Sequence, residues 1–345
     1  MNQALNSYDD TAVKRKQHLV LQLVNACVLL VLIVIFMGGW TRINDAGLSC
    51  PDWPGCFGQL TVPNSQPEIS AAAKLYPGVA VVQSKGWLEM LHRYLAGSLG
   101  LLVLVIAVIA IQLRKVPFYP YLLSFSLLAL VSFQAVLGMW TVTLKLLPII
   151  VTLHLFGGLL TMIVLLLLRA KLVTQKVTDK QWNKHNYSVL IGLIILFLQV
   201  LLGGWTSSNY AGWGCSDWLG CNPGIEVDYN FYNAFQISLD TSVSHQGGSL
   251  GLAERGAIQI SHRFGAVLVM LYFIGFYFTL AKKQSWAKTT VILLSLLALQ
   301  IVVGLLNIVY AIPTMLAMGH HFLAVLALIC TTKLLIDSFG KVAKE

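Results

Sequence analysis

Glu89-Met90-Leu91-His92-Arg93 opens a long apolar run and sets a carboxylate and an imidazole three residues apart. On a helix that spacing puts both side chains on one face, about one turn from each other. A close copy, Gln259-Ile260-Ser261-His262-Arg263, opens another apolar run in the second half of the chain. The copy keeps the His-Arg pair and exchanges the acid for an amide.

The surrounding sequence says where these motifs sit. The 345 residues are 57% hydrophobic and 11% charged. A soluble protein of this size could not hide so much apolar surface, and runs of eighteen or more mostly apolar residues recur. Eight membrane-spanning helices are predicted, at about 19–41, 87–113, 120–143, 149–168, 187–207, 256–280, 288–311 and 317–337. The first run is long, lacks a small-residue cleavage site after a short apolar core, and is repeated later. It therefore reads as a span and not as a cleaved signal peptide.

The net charge is +9. Lys14, Arg15, Lys16, Arg114, Lys115, Arg169, Lys171, Lys176, Lys180, Lys184, Lys282, Lys283, Lys288, Lys341 and Lys344 fall in the termini and in alternate connections. The other connections hold most of the acids, among them Asp45, Asp52, Glu68, Asp217, Glu226, Asp228, Asp240 and Glu254. Basic connections stay in the cytoplasm, so both termini are expected inside and the long loops at about 42–86 and 208–255 outside. Trp40, Trp53, Trp87, Trp140, Trp205, Trp213 and Trp218 gather toward the outer side, where indoles favour the interface. The positive charge thus reports topology in an inner membrane, and no nucleic-acid partner is expected.

The chain repeats itself. Gly38-Gly39-Trp40-Thr41-Arg42 returns as Gly203-Gly204-Trp205-Thr206-Ser207. Cys50 and Cys56 return as Cys215 and Cys221, Gln134 and Gly138 as Gln300 and Gly304, and His154 as His320. Copies of four helices in the same orientation predict an all-α integral membrane fold. Two tandem four-helix bundles would be related by a pseudo-twofold axis along the membrane normal. The expected division is residues 1–170, a polar cytoplasmic linker at 171–186, and residues 187–345. Gly97, Gly100, Gly157 and Gly158 are places where helices or a flat ligand can approach closely.

His92, His154, His262 and His320 stand near the starts of the second, fourth, sixth and eighth spans, all at similar depth toward the outer face. A lone histidine in a span is often a hydrogen-bonded packing residue. Four at repeated positions favour a cofactor, because ionisable groups in spans are rare and usually functional. Imidazoles aimed at one point from facing helices can be the axial ligands of a haem iron. Zinc or copper would want further ligands, and the motifs bring no cysteine to this depth. His321 projects about 100° away from His320, and the repeat selects His320. His18, His185 and His245 take no role. Arg93 and Arg263 can hold a haem propionate through paired charge-assisted bonds, or snorkel to the headgroups.

Glu89 can move a proton or stabilise developing positive charge, which Gln259 cannot. The plainer alternative is an acid interacting with the dipole of its helix, worth about 0.3–1 kcal/mol. Cys50 with Cys56 and Cys215 with Cys221 are disulfide candidates in an oxidising outer compartment, with metal binding or a redox role as alternatives. Cys27 and Cys330 read as small packing residues.

Glu89-x-x-His92-Arg93, Gly38-Gly39-Trp40-Thr41-Arg42 followed by Ala46-Gly47-Leu48-Ser49, and the four-histidine plan together resemble the haem A synthase family. The resemblance covers nearly the whole chain. It implies a membrane-bound oxidoreductase that converts the C8 methyl of haem O to a formyl group, giving haem A for terminal oxidases. Two successive oxidations and loss of water would give the aldehyde. The resemblance further implies that His262 and His320 bind a resident haem b, that His92 and His154 flank the substrate haem, and that Glu89 is the carboxylate the oxidation needs. It also implies loop disulfides near the substrate side. A haem O synthase would deliver the substrate, and an electron donor would be required. The principal rival is a di-haem cytochrome b that only passes electrons; it gives Glu89 no chemical task. A haem carrier without catalysis is a second rival, and a transporter fits least because broken midplane helices are missing.

Overall fold

The computed structural model describes residues 2–174, 182–217, 221–282 and 286–339, with side chains from Thr11 onward. Lys176, Lys180, Lys283, Lys341, Lys344, Trp218 and the middle of the expected linker lie outside the described residues.

The chain folds into α1 (Asn2–Ile43), α2 (Gln66–Leu75), α3 (Gln83–Leu113), α4 (Tyr121–Thr143), α5 (Pro148–Thr174), α6 (Lys184–Ser208), α7 (Phe231–Ala234), α8 (Leu252–Phe276), α9 (Ala287–Val309) and α10 (Thr314–Ser338). A 3-10 turn spans Ala211–Trp213, and α8 runs on into a π turn over Tyr277–Ala281. Eight of these helices are long and apolar enough to cross a membrane, one at each predicted place. This is a multi-pass membrane protein. Leu101, Leu122 and Phe278, each about two-thirds exposed, lie on faces suited to lipid. Two helices were not anticipated from periodicity. Both α2 and α7 lie in the two long loops and are too short to register as apolar runs.

Helix ends follow local chemistry. Pro148 begins α5, where its missing N–H costs nothing. Asn183 caps α6 by accepting from the backbone N–H groups of His185 and Asn186. Two tight connections use left-handed backbone at non-glycine residues: Lys145 and Leu146 between α4 and α5, and Ala311 and Ile312 between α9 and α10. These pairs occupy equivalent places in the two copies of the repeat. Each is closed by a matching bond, Leu146 N–H to Thr141 O at 2.8 Å and Ile312 N–H to Asn307 O at 2.6 Å.

The dry core fills one end of the molecule. In α1 it uses Val20, Val24, Cys27, Val31 and Ile35; in α3, Leu99, Val103, Ile106, Ala110 and Leu113. Intervals of three and four residues form a continuous seam along each helix, as helices crossing at shallow angles require. In α5 the seam includes Leu159, Met162, Leu165, Leu168 and Leu172. These residues lie toward one end of their helices, and His92 and His154 lie toward the other. The site is therefore seated on a rigid apolar base.

Helix neighbours form two closed sets. In the first, α1 packs on α3, α3 on α4, α4 on α5 and α5 on α1; in the second, α6 packs on α8, α8 on α9, α9 on α10 and α10 on α6. This is consistent with two four-helix bundles side by side. The sets meet through α5 with α6, α1 with α10 and α5 with α10. At that boundary a methyl on Gly39 would come within 2.7 Å of the His321 ring, and one on Gly204 within 2.7 Å of Leu155. These two contacts are copies of each other under the repeat. At the end nearer the long loops, Arg42 donates to the Ser207 carbonyl, and the Tyr210 hydroxyl donates to Asp45 Oδ1 at 2.6 Å. Both bonds join positions 165 residues apart, the spacing of the repeat in this region.

Candidate functional site

Each of the four histidines stands beside a glycine of a neighbouring helix. A methyl on Gly38 would approach His92 Cε1 to 2.9 Å, one on Gly203 would approach His262 Cε1 to 3.1 Å, one on Gly138 His154 Cε1 to 3.3 Å, and one on Gly304 His320 Cε1 to 3.0 Å. Contacts this close leave no room for a side chain, so the glycines fix how near each imidazole stands to the adjoining helix. These glycines carry the site as much as the histidines do. Their recurrence at matching positions was visible in the sequence, but their partners were not. Gly157 instead makes room for the Gln134 amide, and Gly97 has no other group within 4 Å of where its Cβ would lie.

The imidazoles come together in pairs. The ring centres of His92 and His154 are 6.3 Å apart, and those of His262 and His320 are 6.4 Å apart. A first-row metal such as zinc binds imidazole nitrogen at about 2.0–2.1 Å, and with about 1.1 Å from nitrogen to ring centre two rings on opposite sides of one ion stand about 6.3 Å apart. The observed spacings fit that arrangement. Among the described residues, no group of three or more His, Cys, Asp and Glu side chains forms a metal site. Each pair could thus supply two imidazole nitrogens and no further ligand, a donor set that would suit an iron already held by a macrocycle. The His92, His154 and His320 rings each stand against a backbone carbonyl of a neighbouring helix, those of Val34, Gln134 and Gln300, whereas His262 Nδ1 lies 3.0 Å from the Gln199 amide. His321 points elsewhere: its Nε2 lies 3.3 Å from the carbonyl of Ile35 in α1. Among the other histidines, His245 is buried in the second long loop, with Nε2 at 2.8 Å from the Asp240 carbonyl.

Glu89 is buried one turn from His92. Its Oε1 meets Arg93 Nη2 at 2.6 Å, and its Oε2 accepts from the Cys50 N–H at 2.9 Å. An ion pair and a backbone donor offset the cost of burying the carboxylate. The remaining reach of Arg93 goes to the first long loop, where Nη1 donates to the carbonyls of Asp52 at 2.9 Å, Pro54 at 3.2 Å and Gly55. That loop is closed by the Cys50–Cys56 disulfide. In the second copy Cys215–Cys221 is likewise a disulfide, Arg263 Nη2 donates to the Asp217 carbonyl at 2.9 Å, and Gln259 Nε2 donates to the Gly212 carbonyl at 3.3 Å. The scaffold is the same in both copies. What differs is that Glu89 accepts from the loop and Gln259 donates to it. The sequence singled out Arg93 for a propionate or the headgroups. Its hold on the disulfide loop was not readable, because the partners are carbonyls of residues about forty positions away.

A family model described as cytochrome oxidase assembly protein, COX15-CtaA, matches residues 22–332. A Shewanella oneidensis protein named heme A synthase is 38% identical over 300 residues, covering 86% of this chain and 90% of its own length. Proteins of the same name from Wolbachia pipientis and Flavobacterium johnsoniae are 24% and 23% identical, over 86% and 90% of this chain and 85% and 95% of their own lengths.

Proposed function

The chain belongs to the COX15-CtaA family of cytochrome oxidase assembly proteins, and from that premise we propose that it is the membrane oxidoreductase that converts the C8 methyl of haem O to a formyl group, yielding haem A. The observation that supports this most is the asymmetry between two otherwise matched sites. Both have an imidazole pair at the spacing of axial ligands, and one alone has a carboxylate beside it. A pair of electron-transfer sites would have no use for that difference.

In this reading residues 1–170 form the half that receives haem O, between His92 and His154, and residues 187–345 form the half that keeps haem b, between His262 and His320. Haem b, when bound, supplies a reversible one-electron couple. The chain's own residues do the rest. His92 and His154 fix the substrate so that its reacting edge is presented reproducibly. Glu89, anchored through Oε1 by Arg93 and through Oε2 by the Cys50 N–H, keeps lone pairs on both oxygens. With these it can take up a proton released as the methyl is oxidised, or oppose positive charge developing there. Because Arg93 is bonded to Glu89 and to three loop carbonyls, a loop-holding task suits it better than a propionate contact. The same task suits Arg263. The protein would lie in the cytoplasmic membrane with both termini inside, take haem O from a haem O synthase and draw on a separate electron donor.

The test is pigment extraction after expression with and without a source of haem O. Haem A should appear only when both the intact protein and haem O are present. Its absence under aerobic conditions with reductant supplied would overturn the assignment.

A further inference from the structure

The second long loop carries an exposed apolar face. From Tyr229 to Leu239 it holds no charged residue, although Asp228 and Asp240 flank the stretch. Phe231 and Phe235 stand one turn apart at the two ends of α7, with Tyr232 beside them. All three are exposed, Tyr232 to 81%. Asn233 and Gln236, three residues apart, take the other flank, and Ala234 is buried. The helix of the first long loop, α2, has Glu68 and Lys74 and no aromatic residue.

Two contacts set the depth of this face. The Trp205 indole, in the last turn of α6, donates to the Ala234 carbonyl at 3.0 Å. Ala234 also packs in one cluster with Ala257 of α8, and Gly256 leaves room for the Tyr229 ring. Helix α8 with its π turn runs for 30 residues, which is about 45 Å. A hydrocarbon core of about 30 Å centred on it stops about five residues short of each end. That puts Ala257 at the boundary, with Glu254 and Arg255 beyond it and Lys282 beyond the far end. Ala257 also heads a stripe. Phe264, Leu268 and Leu271 follow at intervals of seven, four and three residues and are exposed along the same side of α8. Helix α7 therefore overhangs the side of α8 that faces lipid.

We propose that α7 is an interfacial anchor: Phe231, Tyr232 and Phe235 sit among the lipid headgroups and upper acyl chains of the leaflet on the long-loop side. Aromatic rings favour that layer, and a helix with one apolar and one polar flank lies along it. The anchor ties the second long loop to the bilayer and leaves the first free of it.

The test uses the full-length protein in phosphatidylcholine vesicles, with Cys27→Ala and Cys330→Ala removing the free thiols. A nitroxide is attached to Tyr232→Cys, Phe231→Cys, Gln236→Cys or Ala73→Cys, one at a time. Relaxation of each label by oxygen, which partitions into lipid, is compared with relaxation by a water-soluble nickel chelate. The ratio of oxygen to nickel accessibility should be severalfold higher at positions 231 and 232 than at 236, on the polar flank, or at 73, in α2. Equal ratios at 232 and 236 would place the face in water and overturn the proposal. Labels at 231 and 232 shielded from both reagents would show a protein surface covering the face, a second copy of this chain included, and would overturn it as well.

Discussion

Replacing Glu89 by glutamine would give the first site the residue that its copy, Gln259, already carries. An amide can satisfy the loop, as Gln259 does with the Gly212 carbonyl, so folding and both haem spectra should persist. Haem A formation should fall by about 10²–10⁴-fold, the usual worth of a positioned acid–base group. Single-turnover pigment analysis of Glu89→Gln against wild type checks this, and a rate within threefold of wild type would remove Glu89 from the chemistry. A second residue-scale outcome concerns Gly38. Alanine there would meet His92 at 2.9 Å, and overpacking of this kind costs about 1–3 kcal/mol, or roughly one to two powers of ten in affinity. Haem O titration of Gly38→Ala should show that loss while haem b stays bound. At this scale the histidines and the acid were legible, because ionisable groups inside apolar runs are conspicuous. Gln199 and the histidine-facing glycines were not, because a glycine or an amide in a span has many ordinary reasons to be there.

At the scale of elements, the long apolar helices were legible, whereas the polar extension of α1 back to Asn2 and the short loop helices were not. The loop helix α2 depends on its first turn, where Ser65 Oγ accepts from the Glu68 N–H at 3.4 Å and Glu68 Oε2 accepts from the N–H groups of Asn64 at 2.8 Å and Ser65 at 3.1 Å. Those backbone donors hold the Glu68 carboxyl below its ordinary value of 4.5. A carboxyl lowered on folding contributes stability above its unfolded value, and the contribution is lost as pH falls through the folded one. Amide exchange at Asn64 and Ser65 should accelerate, relative to the intrinsic rate, as pH drops from about 5 to 3. Glu68→Gln should flatten that dependence. Exchange that tracks the intrinsic rate throughout would show that the cap contributes nothing.

For the whole molecule, alternation of basic and acidic connections implies an orientation that distances within the protein do not carry. Leu239 between α7 and α8 and Phe118 between α3 and α4 are each about 70% exposed and serve as reporters. On intact cells, a membrane-impermeant maleimide should label Leu239→Cys and spare Phe118→Cys; the reverse pattern would invert the topology. The tandem repeat was legible from end to end, since glycines, cysteines and histidines recur at nearly constant offset. The way the copies meet was not, because it depends on residues that differ between them. Arg42 reaches Ser207, and Asp45 receives Tyr210. Arg42 also pairs with Asp45 at 3.1 Å and lies 4.2 Å over the Tyr210 ring. Ser207 and Tyr210 are the copies of Arg42 and Asp45, so one half brings a charged pair to the seam and the other meets it with a carbonyl and a phenol. Four positions thus fasten one bundle to the other, and loosening any of them would free the halves to shift against each other without disturbing the packing inside either.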